Sequence, residues 1–172
     1  RCRNLIHTAK VIAQQYHGVF PNTYEEIQQL KGVGPYTAAA IASFAFKLPY
    51  AVVDGNVVRI LSRVFTIKDS FHTSKGKQLF YQKAQELVSV KKPDLYNQAI
   101  MDLGATICKP VNPVCDICPV QSICKAYLQN KISKFPTKKE KIILKQRHLH
   151  FFLPENQLDL FITKRLDKDI WH

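Results

Sequence analysis

Leu5, Ile6, Ala9, Ile12, Ala13 and Tyr16 recur at helical spacing and predict a helix over Asn4 to Tyr16. Thr23 followed by Glu26 has the form of a capping box, opening a short helix through Leu30. An alanine-rich run predicts a helix from Pro35 to Phe46, and another follows from Asn56 to Phe65, with Asn56 suited to cap it. Lys77 to Val90 reads as a long amphipathic helix with Leu79, Phe80, Ala84, Leu87 and Val88 on one side. Asp94 suits the cap of a last helix running to about Ile107. Only after the basic stretch KKEKIILKQR does the pattern turn strand-like. There HLHFFLPENQLDLFITK (148–164) alternates, with a turn at Pro154-Glu155-Asn156. A lone hairpin cannot bury its own apolar face, so this segment is expected to begin a further domain. The expected organisation is residues 1–50 and 51–136 as two helical parts, a basic linker over 137–147, and the start of a β-containing domain over 148–172.

The cysteines change the picture most. Cys108, Cys115, Cys118 and Cys124 stand at C-x6-C-x2-C-x5-C in one loop-rich stretch. Pro110, Pro113 and Pro119 break regular structure between them, so the chain can fold back and bring four sulfurs together. Four thiolates suit either a [4Fe–4S] cluster or a tetrahedral zinc, and spacing does not choose between them. Cys2 has no neighbour in sequence to pair with. A disulfide framework fits less well, since such frameworks belong to small secreted chains and the start RCRNLIHTAK lacks a signal peptide's apolar stretch.

With 172 residues, 46% of them hydrophobic, the chain can build a packed core, and no apolar run reaches a membrane span. Lys and Arg number 25 against 13 Asp and Glu, a net charge of +12. That excess favours a polyanionic partner, although many basic proteins bind nothing specific.

LKGVGPYTA (30–38) supplies a second reason to expect nucleic acid. Gly32 and Gly34 permit a tight turn between two helices, and Pro35 suits the first turn of the second. The free amides at that helix start can grip a phosphate. The pattern is that of a helix-hairpin-helix, which binds DNA backbone without reading sequence; the plainer alternative is an ordinary glycine turn. The candidate contacts are Lys31, Gly32, Val33, Gly34, Tyr36 and Thr37. Further on, Asp54 in VVDGNVVRIL lies beside the positive end of the next helix. A carboxylate fixed there can stabilise positive charge on a sugar as a glycosidic bond breaks, or it can simply cap the helix.

Hairpin LKGVGPYTAAAIASFAF, aspartate in VVDGNVVRIL and the cysteine loop, in that order, resemble the endonuclease III superfamily of DNA glycosylases over about residues 1 to 130. The resemblance implies an all-α helix-hairpin-helix fold, a [4Fe–4S] cluster on the four cysteines, and Asp54 as the essential carboxylate. Bifunctional members place a Schiff-base lysine where this chain has Tyr36, which cannot form one. That resembles the monofunctional adenine glycosylases of the MutY type, and also the thymine mismatch glycosylases. YNQAIMDLGATICKPVNPVCDICPVQSICKAY is close to the MutY type, and LDLFITKRLDKDIWH resembles the first strands of its Nudix-like domain. The resemblance therefore implies removal of adenine opposite 8-oxoguanine or guanine in double-stranded DNA, by a monomer without membrane attachment. It would work in a bacterial cytoplasm at the nucleoid, or in a eukaryotic nucleus. Asn56 and Tyr36 match pocket-side positions that orient Asp54 and the sugar, and the cluster loop would present Lys109 to phosphate.

The family's catalytic glutamate, its glutamine-rich wedge and its 8-oxoguanine-contacting loop have no match here, so the chain is expected to be cut at both ends. On that expectation the 172 residues alone bind DNA but excise nothing. A rival from another class is a non-catalytic DNA-binding module stapled by zinc, which leaves Asp54 and the tail unexplained.

Overall fold

The computed structural model describes residues 2–137, 148, 155, 156, 159 and 160. Backbone contacts divide the chain into two units, Arg1–Lys139 and Glu140–His172. The first is all-helical among the described residues. Its elements are α1 (Cys2–Gln15), α2 (Tyr24–Gln29), α3 (Pro35–Phe46), α4 (Gly55–Phe65), α5 (Ser74–Leu87), α6 (Pro93–Asp102) and the short α7 (Lys125–Leu128). A π-helical turn, Leu103–Ile107, continues α6, and 3-10 turns occupy Cys115–Ile117, Gln121–Ile123 and Ile132–Lys134.

Helix α4 is the centre. Every residue from Val57 to Val64 is buried, as expected for a helix packed on all sides. It touches α5, α6, the π turn and α7. Val57, Val58 and Leu61 meet Phe80 and Ala84, i and i+4 on α5, and Val88 just past its end. Burying a side chain such as Phe80 stabilises by about 1.5–3 kcal/mol. On another side Ile60 and Val64 pack against Cys124, Ala126 and Phe135, which roots the cysteine loop in the core. A separate small cluster, Ile27, Ala38 and Ala42, joins α2 to α3.

Several boundaries differ from the sequence expectation. Asp54, not Asn56, caps α4: its carboxylate accepts from the Val57 amide, and Asn56 lies inside the first turn. Both residue types cap well, so composition could not rank them. Asp94 likewise falls inside the first turn of α6, because Pro93 fixes the backbone one residue earlier and Lys92 takes the cap position. Helix α5 begins three residues before Lys77, at Ser74, since the Thr73 hydroxyl accepts from the Gly76 amide. At α2 the Thr23 cap is present, but the carboxylate of Glu26 takes its hydrogen bond from the Thr23 hydroxyl rather than the backbone amide of a full capping box: Thr23 accepts from the Glu26 amide and donates to its carboxylate. The apolar stripe of α1 is covered less than its pattern predicts, with Leu5 at 72% and Ile6 at 58% exposure.

In the second unit, β1 (Glu155–Asn156) pairs antiparallel with β2 (Asp159–Leu160), Glu155 opposite Leu160 and Asn156 opposite Asp159. The hairpin is there, but its turn is not at Pro154-Glu155-Asn156. Glu155 and Asn156 belong to a strand, and the register leaves two positions between the strands, a length hairpins favour. The rest of the alternating segment and the basic stretch 138–147 lie outside the described residues.

Candidate functional site

The hairpin is built by α2, the turn 30–34 and α3. Leu30 and Val33 close the turn through backbone bonds to Ile27 and Leu30. Gly32 has φ +87°, a conformation that suits glycine, and a Cβ there would sit 2.7 Å from Asn4 Nδ2 of α1. Helix α1 also holds the turn through Thr8, whose hydroxyl donates to the Lys31 carbonyl at 3.0 Å. Gly34 caps α3 without a side chain, so the first-turn amides of Tyr36 and Thr37 have no intrahelical partner. Lys31, Gly32, Gly34, Tyr36 and Thr37 are all exposed, and Val33 is half-buried.

Asp54 is half-buried at the start of α4. Its Oδ1 accepts from the Val57 amide at 2.8 Å and its Oδ2 from Asn56 Nδ2 at 2.9 Å. Asn56 is oriented in turn by Arg59, whose Nη2 donates to Asn56 Oδ1 at 2.8 Å and to the Gly104 carbonyl at 2.7 Å. Arg59 Nε donates to the Cys108 carbonyl at 2.6 Å. One guanidinium therefore ties the Asp54–Asn56 pair to the π turn and to the first cysteine. Burial holds the Arg59 guanidinium below its usual basicity, and Arg63 adds to this, while Cys108 and Asp54 act the other way. Gly104 is needed for the approach: a Cβ there would lie 2.5 Å from the Asn56 Cβ.

The four cysteines of the loop are free thiols. All four line one cavity, whose wall also includes Ile60, Val64 and Leu103. The Cys115 thiol is pushed above its usual range first by burial and then by Cys108, Cys118 and Cys124. A lone zinc draws four sulfurs to about 2.3 Å from one point. Among the described residues no three His, Cys, Asp or Glu side chains are set to hold a single ion. Four cysteine sulfurs on one cavity wall are the donor set that a [4Fe–4S] cluster takes. Arg63, only 2% exposed, clamps the loop. It donates to Cys108 Sγ at 3.3 Å and to the carbonyls of Lys109, Pro110 and Phe135 at 2.8, 3.2 and 3.2 Å.

The structure thus brings Asp54 and Asn56 together and groups the four cysteines. No hydrogen bond joins Tyr36 to Asp54 or Asn56 among the described residues, and the Tyr36 ring is 43% exposed. Lys109 is exposed on a backbone held by Arg63. Arg59 and Arg63 are the residues that sequence reasoning missed. Their signal was two arginines four apart in a helix otherwise almost wholly apolar.

Two family models match the chain. The helix-hairpin-helix motif covers residues 15–44, and the iron–sulfur binding domain of endonuclease III covers residues 108–124, beginning and ending on cysteines. Adenine DNA glycosylase of Buchnera aphidicola subsp. Baizongia pistaciae is 37% identical over 172 residues, 99% of this chain and 48% of that one. The Homo sapiens adenine DNA glycosylase is 46% identical over 127 residues, 73% of this chain and 23% of that one. The chain spans about half the length of the Buchnera relatives it matches. Among solved structures, a thermostable thymine-DNA glycosylase superposes with TM-score 0.67 at 33% identity, covering 74% of this chain and 58% of that one. An endonuclease III solved with DNA shares the fold, with TM-score 0.61 at 23% identity over 74% of this chain and 58% of that one. The Cys108–Cys124 segment is accordingly an iron–sulfur site. With the helix-hairpin-helix motif and the iron–sulfur domain both matched, and a relative 37% identical along 99% of this chain, the chain belongs with the adenine DNA glycosylases of the endonuclease III, helix-hairpin-helix family.

Proposed function

We propose that this chain is the part of an adenine DNA glycosylase that carries its DNA-gripping hairpin, its catalytic aspartate and its cluster. The substrate is double-stranded DNA in which adenine stands opposite 8-oxoguanine or guanine. The observation that carries the reading is Asp54: a carboxylate locked by Val57 and Asn56 beside an exposed glycine, on the helix that also anchors the cysteine loop. The curated relatives are adenine glycosylases, and the Buchnera likeness runs through the tail.

In this reading Lys31, Gly32, Val33, Gly34, Tyr36 and Thr37 hold the phosphate backbone while adenine is turned out of the stack. Asp54 faces the deoxyribose and stabilises the positive charge that grows there as the bond to adenine breaks. Asn56 fixes the carboxylate's direction, and Tyr36 borders the sugar. Cys108, Cys115, Cys118 and Cys124 hold the cluster, which supplies a rigid loop rather than hydrolysis. Lys109 then sits on that loop toward phosphate. Residues 1–50 and 51–136 act as two helical parts of one monomer, 137–147 links them onward, and 148–172 opens a Nudix-like domain. The thermostable thymine-DNA glycosylase likeness supports a second reading, thymine removal from mismatches, by the same residues.

Three measurements test these assignments. Strand breaks after alkali, in a duplex carrying adenine opposite 8-oxoguanine, report base excision by the full-length protein; intact strands would refute the proposed activity. Purified without oxygen, the protein should be yellow-brown and hold iron and sulfide in nearly equal amounts. A colourless protein with stoichiometric zinc would refute the cluster. With Tyr36 at the position where bifunctional members carry lysine, borohydride should trap no covalent adduct with DNA. Efficient trapping would show that a lysine elsewhere does the chemistry.

A further inference from the structure

Asp54 is reached through an irregular segment, Leu48 to Val53, which turns at Pro49 through a bond from the Tyr50 amide to the Leu48 carbonyl and which no strand accompanies among the described residues. Ala51, Val52 and Val53 are buried, at 8%, 1% and 4% exposure, so their backbone polar groups need partners inside the protein. Two side-chain carboxamides serve. Gln85 of α5 accepts from the Ala51 amide at 3.0 Å and donates to the Pro49 carbonyl at 2.6 Å. Asn97 of α6 accepts from the Val52 amide at 3.0 Å and donates to the Tyr50 carbonyl at 2.9 Å.

Both grips have one form: an amide N–H, and the carbonyl two residues before it. That is the pair a residue of a parallel strand engages on its neighbour. The consecutive amides of Ala51 and Val52 go to different helices, so Gln85 and Asn97 hold the segment from α5 and from α6. A one-residue slide would present each carboxamide with mismatched groups, so the pair fixes the segment along its own axis. Asn97 is 1% exposed, and its second amide hydrogen goes to Ser43 Oγ at 3.0 Å, which orients the carboxamide.

We propose that Asn97 and Gln85 are positioning residues that set where Asp54 stands, acting as a surrogate parallel strand on the segment leading into it. Val52 lies two residues before Asp54, and the downstream clamp at Val57 and Asn56 orients the carboxylate without fixing the main chain behind it. A misplacement of about 1 Å at a reacting centre can cost roughly 10²-fold in rate. The proposal rests on the functional reading above, in which Asp54 is the group that faces the sugar.

The test uses the full-length, cluster-loaded protein in single-turnover excision of adenine opposite 8-oxoguanine, with enzyme in excess. Active fraction is measured separately from the burst. A merely structural role lowers the active fraction and leaves the rate constant of the surviving molecules unchanged. The proposal predicts a fall in the rate constant itself, by about 10²-fold for Asn97→Ala. For the exposed Gln85→Leu, which leaves the core intact, a fall of about tenfold is expected. Binding of uncleaved duplex should change by less than about threefold in both, since phosphate contacts lie elsewhere. If Asn97→Ala does not fold, Gln85→Leu decides. Excision by the unmodified protein with unchanged rate constants in the variants overturns this proposal alone. No excision by the unmodified protein overturns the functional reading and the proposal with it.

Discussion

Asp54→Asn should leave DNA binding nearly intact and lower single-turnover adenine excision by at least about 10³-fold. Loss of one fixed electrostatic partner of a transition state costs about 10²–10³-fold, and here the lost group is a full charge. The substitution is nearly isosteric, and its oxygen can still accept from the Val57 amide, so the cap on α4 survives. The new amide would face Asn56 Nδ2, donor against donor. Asn56 cannot relieve this by turning over, because its oxygen is engaged by Arg59. The variant therefore loses the charge and also strains the pair that orients it. Binding is measured on uncleaved duplex and excision with enzyme in excess. A rate constant within about tenfold of the unmodified protein would show that Asp54 is only a helix cap.

Arg63→Leu should release the iron–sulfur site. The guanidinium is 2% exposed and donates to three carbonyls and to Cys108 Sγ, and among the described residues no carboxylate pairs with it. Leucine would leave those acceptors without their donor, at about 1–3 kcal/mol for each carbonyl that water cannot reach. A total near 3 kcal/mol lowers the thermal midpoint by roughly 6–12 °C for a domain of this size. Iron per chain should fall below about half, since the same bonds hold the backbone of Cys108, Lys109 and Pro110. Unchanged iron content and midpoint would mean that the cysteine loop holds itself without α4.

The parts legible in the sequence are those whose chemistry is local. Gly32, Gly34 and Pro35 state their turn within a few residues, and four cysteines among prolines state a convergence of sulfur. Helix α3 runs from Pro35 to Phe46, the bounds its composition predicts. What sequence could not supply are contacts between distant positions. Arg63 meets Phe135 across 72 residues, and Asn97 meets Val52 across 45. In sequence each is one polar residue in a helix, with nothing to say whether it faces water or the core. The cap of α4 failed for a different reason. Asp54 and Asn56 are both good caps two residues apart, and the choice is made by Arg59, which draws Asn56 into the helix from a site defined only by the fold.

The most direct measurement identifies the base that leaves. The full-length, cluster-loaded protein is incubated with two duplexes, one carrying adenine opposite 8-oxoguanine and the other thymine opposite guanine, and free bases are separated by chromatography. The account predicts adenine from the first, released by hydrolysis to leave an abasic site, and no thymine from the second. Thymine release without adenine release would contradict it, and so would adenine release undiminished in Asp54→Asn.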